Sequence, residues 1–321
     1  MRKMLVRRAG AGMAAAAAML FAVGTAQAAV IHCGDVITTS VTFDNDVSGC
    51  DTLDAVTVSG TGITVNLNGH TVSGPGPLYG IHVDSSSSGV TVLAGRVTGF
   101  QTGVQIEGAR TTVTLMEADG NGEAGIAVLA PRARVLANYA NGNFDGISIG
   151  DGANHELAPD PLVKLNVVTG STDAGIVMNQ ALRPRISANV VSRNGIGIGA
   201  FFASGGLIDG NTVIDNRGRG GFASGADGTT WSKNRILDNA GDGLFVKDTF
   251  ADVIGNTVSG NGGNGILYSE TTPFASRSRY GSNKANDNAG VGISVTAGTT
   301  DLGGNKAHRN GGGNCVNIAC S

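Results

Sequence analysis

Three stretches of the sequence decide the fold: NRILDNAGDGLFV (residues 234–246), NTVSGNGGNGILY (256–268) and NKANDNAGVGISV (283–295). They are copies of one phrase, which recurs about every 22 residues from about residue 66 to the C-terminus. A fixed period of this length is typical of a solenoid, in which each repeat forms one coil that stacks on the next. Most Asn and Gly residues are therefore explained by stacking, and a functional residue has to depart from the pattern.

The spacing of apolar residues within the phrase indicates β-strands. Apolar residues lie three positions before and two positions after the Asn that opens each copy, as Trp231 and Ile236 do around Asn234. A Gly then precedes an apolar pair at spacing two, such as Leu244 and Val246. Spacing two is the side-chain period of a strand, and no amphipathic run of helical length occurs. The sequence predicts an all-β parallel β-helix of a single chain, with about 11 coils and three short strands per coil.

The Asn that opens each copy is expected to occupy a sharp corner between strands. There its amide can bond to the backbone and to the Asn of the neighbouring coil, and Asn tolerates the left-handed conformation that corners need. We interpret this column as a structural ladder, and a second Asn column five residues later in the same way. The first column is Asn138, Asn166, Asn189, Asn211, Asn234, Asn256, Asn283 and Asn305.

The first 28 residues have the pattern of a secretory signal peptide. A basic start is followed by an apolar run over residues 9–23 and by an A-x-A site that predicts cleavage after Ala28. The predicted organisation is a signal peptide (1–28), an N-terminal cap with the first coil (29–65), the parallel β-helix (66–310) and a C-terminal disulfide cap (311–321). We expect a secreted or periplasmic protein, and no segment is predicted to span a membrane.

The net charge limits the classes of partner that are expected, and the cysteines indicate the redox compartment of the protein. Without its first 28 residues the chain has 18 basic and 25 acidic residues, a balance of −7, which argues against a nucleic-acid partner. Its four cysteines lie only at the two ends of that part of the chain. In an exported protein we expect the pairs Cys33–Cys50 and Cys315–Cys320, which would staple the exposed ends of the solenoid.

The phrase N-x-V-x-x-N-x-x-x-G-I-x-V resembles the right-handed parallel β-helix repeat family. That family includes NosD-like proteins and carbohydrate-binding/sugar-hydrolase (CASH) domains, and more distantly pectate lyases and polygalacturonases. The resemblance covers nearly the whole chain after residue 28 and implies a right-handed β-helix associated with carbohydrate. The polygalacturonase motifs N-T-D, D-D, G-H-G and R-I-K are absent from the sequence, so the resemblance supports the fold more than any enzymatic activity.

Aligning the copies points to outward positions two and four residues after the repeat Gly. In the early coils these are His82 and Asp84, with Gln105 and Glu107 in the next coil. Two stacked carboxylates beside a His could bind a cation or act as an acid/base pair. A solvated polar face is the alternative interpretation.

Two further groups are candidates for substrate binding. The coil with the longest insertion carries His155, Glu156 and Asp160, and the next coil adds Arg183 and Arg185, a set that could hold a sugar. The other group follows later repeat glycines, and a surface ion pair is its alternative interpretation; it consists of Lys247, Asp248 and Glu270.

The sequence favours an exported protein that binds a polysaccharide or cell-surface glycan along its strand face, with or without catalysis. One alternative is a non-catalytic structural or adhesive surface protein. Another is a polysaccharide lyase or hydrolase with a non-standard site. No cofactor is expected, although Ca²⁺ could bind the carboxylates, no dedicated metal site is predicted, and the protein is expected to be a monomer.

Overall fold

Three short strands recur in each coil of the computed structural model, which describes residues 26–75, 78–150, 158–270 and 277–321. In this part of the chain every strand pairing within the two sheets is parallel, and no α-helix occurs. The first sheet, called sheet 1 below, takes one strand from each coil. Its thirteen described strands are β2 (Asp35–Ile37), β4 (Asp54–Val58), β7 (Tyr79–Val83), β9 (Thr102–Ile106), β11 (Ala124–Val128), β14 (Asp145–Ile149), β17 (Ala174–Asn179), β20 (Ile196–Phe201), β23 (Gly221–Ser224), β26 (Leu244–Lys247), β29 (Ile266–Ser269), β32 (Ile293–Ser294) and β35 (Cys315–Val316).

The second sheet, called sheet 2, covers the other two sides of the coils. Its two sides are joined because β8 and β10 continue around the corner that separates two strands in later coils. Its described strands are β1 (Gln27–Ala29), β3 (Val41–Phe43), β5 (Thr64–Asn66), β6 (Thr71–Ser73), β8 (Thr91–Thr98), β10 (Thr112–Asp119), β12 (Arg134–Leu136), β13 (Tyr139–Asn141), β15 (Leu162–Lys164), β16 (Val167–Thr169), β18 (Arg185–Ser187), β19 (Val190–Ser192), β21 (Leu207–Asp209), β22 (Thr212–Ile214), β24 (Thr229–Ser232), β25 (Arg235–Leu237), β27 (Ala251–Ile254), β28 (Thr257–Ser259), β30 (Arg279–Gly281), β31 (Lys284–Asn286), β33 (Thr300–Gly303) and β34 (Lys306–His308).

These strands confirm the predicted parallel solenoid. Thirteen strands stack in sheet 1, so the chain makes about twelve turns rather than the eleven predicted. Each residue of a coil pairs with its equivalent in the next, as Ile126 pairs with Ile147 and Ile147 with Ile176. Stacked coils are about 4.8 Å apart. Equivalent side chains therefore form straight columns along the axis.

The inward columns form one continuous apolar core. The column of sheet 2 that the sequence placed three residues before each Asn is fully buried from Val135 to Tyr280 and includes Trp231. Leu302, expected to end this column, is instead half exposed, because the register between β30 and β33 shifts after Tyr280. Burying each large side chain contributes about 1.5–3 kcal/mol, so the stacked columns stabilise the solenoid along its length.

The ladder Asn residues bond from coil to coil. The backbone N–H and the Nδ2 of Asn189 both donate to Oδ1 of Asn211 (3.0 and 2.9 Å), and Nδ2 also donates to the carbonyl of Val163 (3.1 Å). The sequence-based reason for Asn was partly wrong. The left-handed residue is the one before it, as Ala188 (φ 53°) shows before Asn189. The Asn amide therefore stabilises a corner whose strained residue is its neighbour.

The repeat Gly has no side chain, and this leaves space for the amides of the second Asn column. A Cβ on Gly175 would lie 2.6 Å from Nδ2 of Asn194, and one on Gly197 would lie 3.0 Å from Nδ2 of Asn216. Any side chain at these positions would collide with the amide of the next coil. The Gly and Asn columns are therefore two parts of one corner.

Both ends of the described chain are closed by disulfides, Cys33–Cys50 and Cys315–Cys320. Strand β1 pairs with β3 through Gln27, Ala28 and Ala29. Cleavage after Ala28 would therefore leave Ala29 as the only residue of β1. Most of the predicted signal peptide, residues 1–25, lies outside the described residues.

Candidate functional site

The outward face of sheet 1 changes chemistry along the axis. Each coil contributes one residue to its central column at the same register, and this column is polar from Thr57 to Gln105 and apolar from Phe222 to Leu267. From one end to the other the column reads Val36, Thr57, His82, Gln105, Ala127, Ser148, Val177, Gly199, Phe222, Phe245, Leu267, Ser294 and Val316. The polar half is where a groove forms.

This groove, called the acidic groove below, crosses strands β7, β9, β11 and β14. It encloses about 400 Å³, within the size range of small-molecule sites. Hydroxyl, amide, carboxylate and aromatic groups line it, and no Lys or Arg occurs among the described lining residues. Those residues are Tyr79, Thr102, Gln105, Glu107, Glu123, Ala124, Ala127, Leu129, Phe144, Asp145, Ser148, Gly150 and Asn179.

At one end of the groove His82 lies between two carboxylates. Its Nδ1 is 2.8 Å from Oδ2 of Asp54, which also accepts a hydrogen bond from the hydroxyl of Thr57. Its Nε2 is 3.3 Å from Oε2 of Glu107. That contact is within ion-pair distance, but it does not satisfy hydrogen-bond geometry, and the Nε2 atom is buried without another partner. Asp54 therefore orients the ring and leaves Nε2 directed at Glu107.

Tyr79 and Gln105 complete this end of the groove. The Tyr79 ring lies 4.9 Å from the His82 ring at a tilt of 59°. Burial, followed by the nearby charges of Glu107 and Asp54, raises the pKa of the Tyr79 hydroxyl above its ordinary value. Gln105 donates from Nε2 to Oε1 of Glu107 (3.3 Å). The arrangement places proton donors and acceptors side by side on one strand face.

At the other end of the groove lies Asp145, a carboxyl group with a raised pKa. Burial is the main cause that raises its pKa to about 6, and the charges of Asp173 and Glu123 raise it further. A hydrogen bond from the N–H of Ala174 to Oδ1 (2.9 Å) acts in the opposite direction. Glu123 accepts a hydrogen bond from Gln101 (2.8 Å). Acidic side chains thus crowd this end without a cation among the groups that set the pKa of Asp145.

The structure separates the predicted N-terminal candidates. His82, Gln105 and Glu107 meet at the groove, but Asp84 does not join them. Burial raises the pKa of Asp84, yet hydrogen bonds from three serine hydroxyls, including Ser86 and Ser87, outweigh it and leave the pKa below its ordinary value. Asp84 is therefore engaged with its own corner, and the expected pair with Glu107 is replaced by the contact of Glu107 with His82.

The described members of the second predicted group, Asp160, Arg183 and Arg185, are not among the described residues that line the acidic groove. Arg183 donates to both oxygens of Asp160 (2.8 and 3.1 Å), and this exposed pair lowers the pKa of Asp160. Arg185 is exposed on β18. His155 and Glu156 lie outside the described residues, between Gly150, which lines the groove, and Ala158.

The third predicted group lies at the C-terminal end of the strands of sheet 1. Lys247 ends β26, and the N–H of Asp248 bonds to the carbonyl of Ser269 in the next coil (3.1 Å). Glu270 accepts a hydrogen bond from the Tyr268 hydroxyl (2.6 Å). None of these three residues is among the described residues that line the acidic groove.

The apolar half of the same face carries an aromatic ridge of Phe201, Phe222 and Phe245. Phe222 and Phe245 stack with centroids 5.5 Å apart, and Phe201 meets Phe222 edge to face at 5.4 Å. The guanidinium of Arg219 lies 4.7 Å from the centre of the Phe245 ring and 3.5 Å from Asp242. The face therefore continues beyond the groove as an apolar strip.

Neither a cluster of metal-ligating side chains nor a helix able to span a membrane is found within the described ranges. No cluster of three or more His, Cys, Asp or Glu side chains there could hold a metal ion. Calcium binding near Glu107 stays a prediction. Among the described residues no helix is long and apolar enough to cross a bilayer.

Comparison with known proteins confirms the family resemblance. Residues 137–279 match the family model described as "Right handed beta helix region", which agrees with the observed solenoid. A search of curated proteins found no match to this sequence.

Solved structures with a similar fold come from polysaccharide-active proteins. The A-module of the mannuronan C-5 epimerase AlgE4 of Azotobacter vinelandii superposes with a TM-score of 0.66 at 15% identity, over 88% of this chain and 91% of that one. A mutant of the periplasmic alginate epimerase AlgG gives 0.62 at 14% identity, over 88% and 76%. The catalytic unit of the GH87 alpha-1,3-glucanase of Streptomyces thermodiastaticus gives 0.53 at 13% identity, over 90% of this chain and 61% of that one. At these identities the similarity establishes the fold alone.

Proposed function

Taking the chain as a right-handed parallel β-helix, we propose that it binds a polysaccharide in the acidic groove of sheet 1. The observation that carries the proposal is the groove itself. It is an open cavity of about 400 Å³ on a flat strand face, lined by hydroxyls, amides, carboxylates and aromatic edges. Sugar hydroxyls both donate and accept, so such mixed polar groups suit them. The named activities of the structural neighbours support the same substrate class.

Export supports this proposal, because polysaccharides of the cell envelope lie outside the cytoplasm. The two disulfides are typical of an oxidising compartment, and the sequence predicts a signal peptide. We propose a secreted or periplasmic protein that acts as a monomer. A non-catalytic structural or adhesive role would require the rod surfaces, and not the groove, to mediate its interactions.

A glycan array followed by calorimetry tests the proposal. We expect binding to at least one oligosaccharide class, weakened about tenfold or more by Tyr79→Ala or Glu107→Gln, because each change removes a lining group. The matched control is Glu117→Gln on β10 of sheet 2, whose side chain is 49% exposed and should leave affinity unchanged. Absence of binding to every glycan, together with self-association of the rods, would favour the structural alternative.

A second candidate function is catalysis at the same groove. The observation that favours it is the His82 ring, oriented by Asp54 with a buried Nε2 facing Glu107. A positioned His beside carboxylates and a Tyr is a suitable acid/base constellation. Mass spectrometry of oligosaccharides incubated with the protein would detect cleavage or epimerisation. Products lost in His82→Asn, with binding retained, would support catalysis, and unchanged oligosaccharides would limit the groove to binding.

A further inference from the structure

We propose that the acidic groove selects a cationic amino-sugar polymer, whose protonated amines pair with Glu107, Glu123 and Asp145. This inference rests on the proposed polysaccharide binding and names its substrate class. The similar folds include epimerases of a uronate polymer, but the groove of this chain has the sign of charge that repels such a polymer. The charge of the groove therefore indicates a substrate different from that of the structurally similar epimerases.

The described lining of the groove is acidic, and one imidazole beside it, that of His82, contacts Asp54 and Glu107. Three of its residues are carboxylates, and none is Lys or Arg. Two more acids stand next to it, since Asp54 holds His82 and Asp173 raises the pKa of Asp145. Glu123 and Asp145 have no cationic partner among the described residues, and carboxylates in such a partly buried site are unfavourable unless a ligand supplies the counter-charge.

The cations nearest along the same face are already engaged. Arg217 donates from Nη2 to the carbonyls of Ser171 (2.7 Å) and Thr172 (3.3 Å). Arg219 lies over the phenyl rings of the aromatic ridge and beside Asp242. On the other sheet Arg96 forms a bidentate pair with Asp119. These three arginines are thus engaged with groups other than the groove carboxylates.

The acids lie at both ends of the groove. Glu107 follows the C-terminal end of β9, whereas Glu123 immediately precedes β11 and Asp145 begins β14. The two groups are separated by about five strand residues, or roughly 16 Å. An oligosaccharide of several units that crosses the strands could therefore pair with acids at both ends. A single small cation could not span this distance, and no metal cluster is present among the described residues.

Binding of matched hexasaccharides tests the inference on the full exported chain. The probes are fully deacetylated chitosan hexamer, fully N-acetylated chitin hexamer and mannuronan hexamer, titrated by calorimetry at a pH just above the Asp145 pKa of about 6, where this carboxyl is largely ionised. We expect the deacetylated hexamer to bind about tenfold or more tighter than the acetylated one, with an affinity that falls as salt rises. The mannuronan hexamer should bind most weakly.

Two double variants separate the effect of the groove acids from that of the overall charge of −7. The double variant Glu123→Gln/Asp145→Asn should reduce affinity for the deacetylated hexamer about tenfold, to that for the acetylated one. The control Asp215→Asn/Asp238→Asn removes the same charge from the corners beside sheet 2 and should keep the preference. Glu107→Gln provides a single milder change if the double variant folds poorly.

The outcomes distinguish the two proposals. Equal affinity for chitosan and chitin hexamers, or tighter mannuronan binding, overturns amino-sugar selection and leaves polysaccharide binding intact. A preference that is lost in the control variant instead of the groove variant also overturns it, because bulk charge would then be the cause. Failure of all three hexamers, with no other glycan bound on the array, overturns both.

Discussion

Ser171→Asn should stabilise the protein, because Ser171 interrupts the second Asn column. In the neighbouring coils the backbone N–H and Nδ2 of Asn194 donate to Oδ1 of Asn216 (2.9 and 3.1 Å), and its Nδ2 also donates to the carbonyl of Val168 (3.3 Å). Ser171 keeps only the first of these bonds, from its N–H to Asn194 (2.9 Å), and its buried hydroxyl has no partner.

The structure indicates by how much Ser171→Asn should raise the free energy of unfolding. An Asn at 171 would accept at its Oδ1 from the N–H and Nδ2 of Asn143, and its own Nδ2 would donate to the carbonyl of Ala140 and to Oδ1 of Asn194. The ladder makes these four bonds elsewhere. Gly146, which faces Ser171, leaves room as the other repeat glycines do. Each buried hydrogen bond contributes about 1 kcal/mol net. After the cost of ordering the side chain, we expect about 2 kcal/mol, which corresponds to a rise in Tm of about 4–8 °C.

Scanning calorimetry of the wild type and two variants measures this gain. The matched control is Ser187→Asn, at an outward, half-buried position of β18, where we expect a change within about 0.5 kcal/mol. A Tm for Ser171→Asn equal to or below that of the wild type, with the control unchanged, would refute the view that the amides act as a coil-to-coil ladder.

Three further outcomes follow from the same geometry. Asn211→Ala should lower the free energy of unfolding by about 3 kcal/mol or more in urea titrations, since it leaves two donors of Asn189 and a carbonyl without partners; a loss below about 1 kcal/mol would contradict the ladder. Asp145→Asn should flatten the pH dependence of stability. The pKa of Asp145 in the folded protein is raised to about 6, so the stability of the wild type falls as pH rises through the window from about 4 to about 6. A stability profile of the variant identical to that of the wild type would count against the burial of this carboxyl. Phe222→Ala/Phe245→Ala should weaken binding of long oligosaccharides more than short ones if the polymer extends over the aromatic ridge, and unchanged affinity for both would place the ligand in the groove alone.

The fold could be predicted because each coil repeats the same physical requirements. The columns of Asn, Gly and apolar residues are local in sequence, so Val135 and Ile186 could be assigned to the core without coordinates. The two ends of the solenoid were harder to predict, because the residues of a cap do not follow the repeat. Leu302 was placed in the core by spacing alone, and the register shift after Tyr280 exposes it.

The candidate site was predicted only in part, and the reason is geometric. The search covered positions two and four residues after the repeat Gly and missed the position just before it, which is outward because the Gly itself is inward. Tyr79 and Asp145 occupy that position, and the same alignment could have found them. The partnership of Asp54 with His82 could not be found this way, because Asp54 belongs to an early coil that had been assigned to the cap.

The break in the ladder lies beside the groove, which connects stability to binding. Ser171 is two residues before Asp173, whose charge raises the pKa of Asp145, and the next residue, Ala174, donates to that carboxylate. Positions where a repeat protein breaks its own local rule are expected near functional sites. If the missing amide lets this corner adjust to a ligand, Ser171→Asn should raise Tm and also weaken oligosaccharide binding, the trade-off expected when a flexible site is stiffened. A stabilised variant with unchanged affinity would show that the break and the groove are independent.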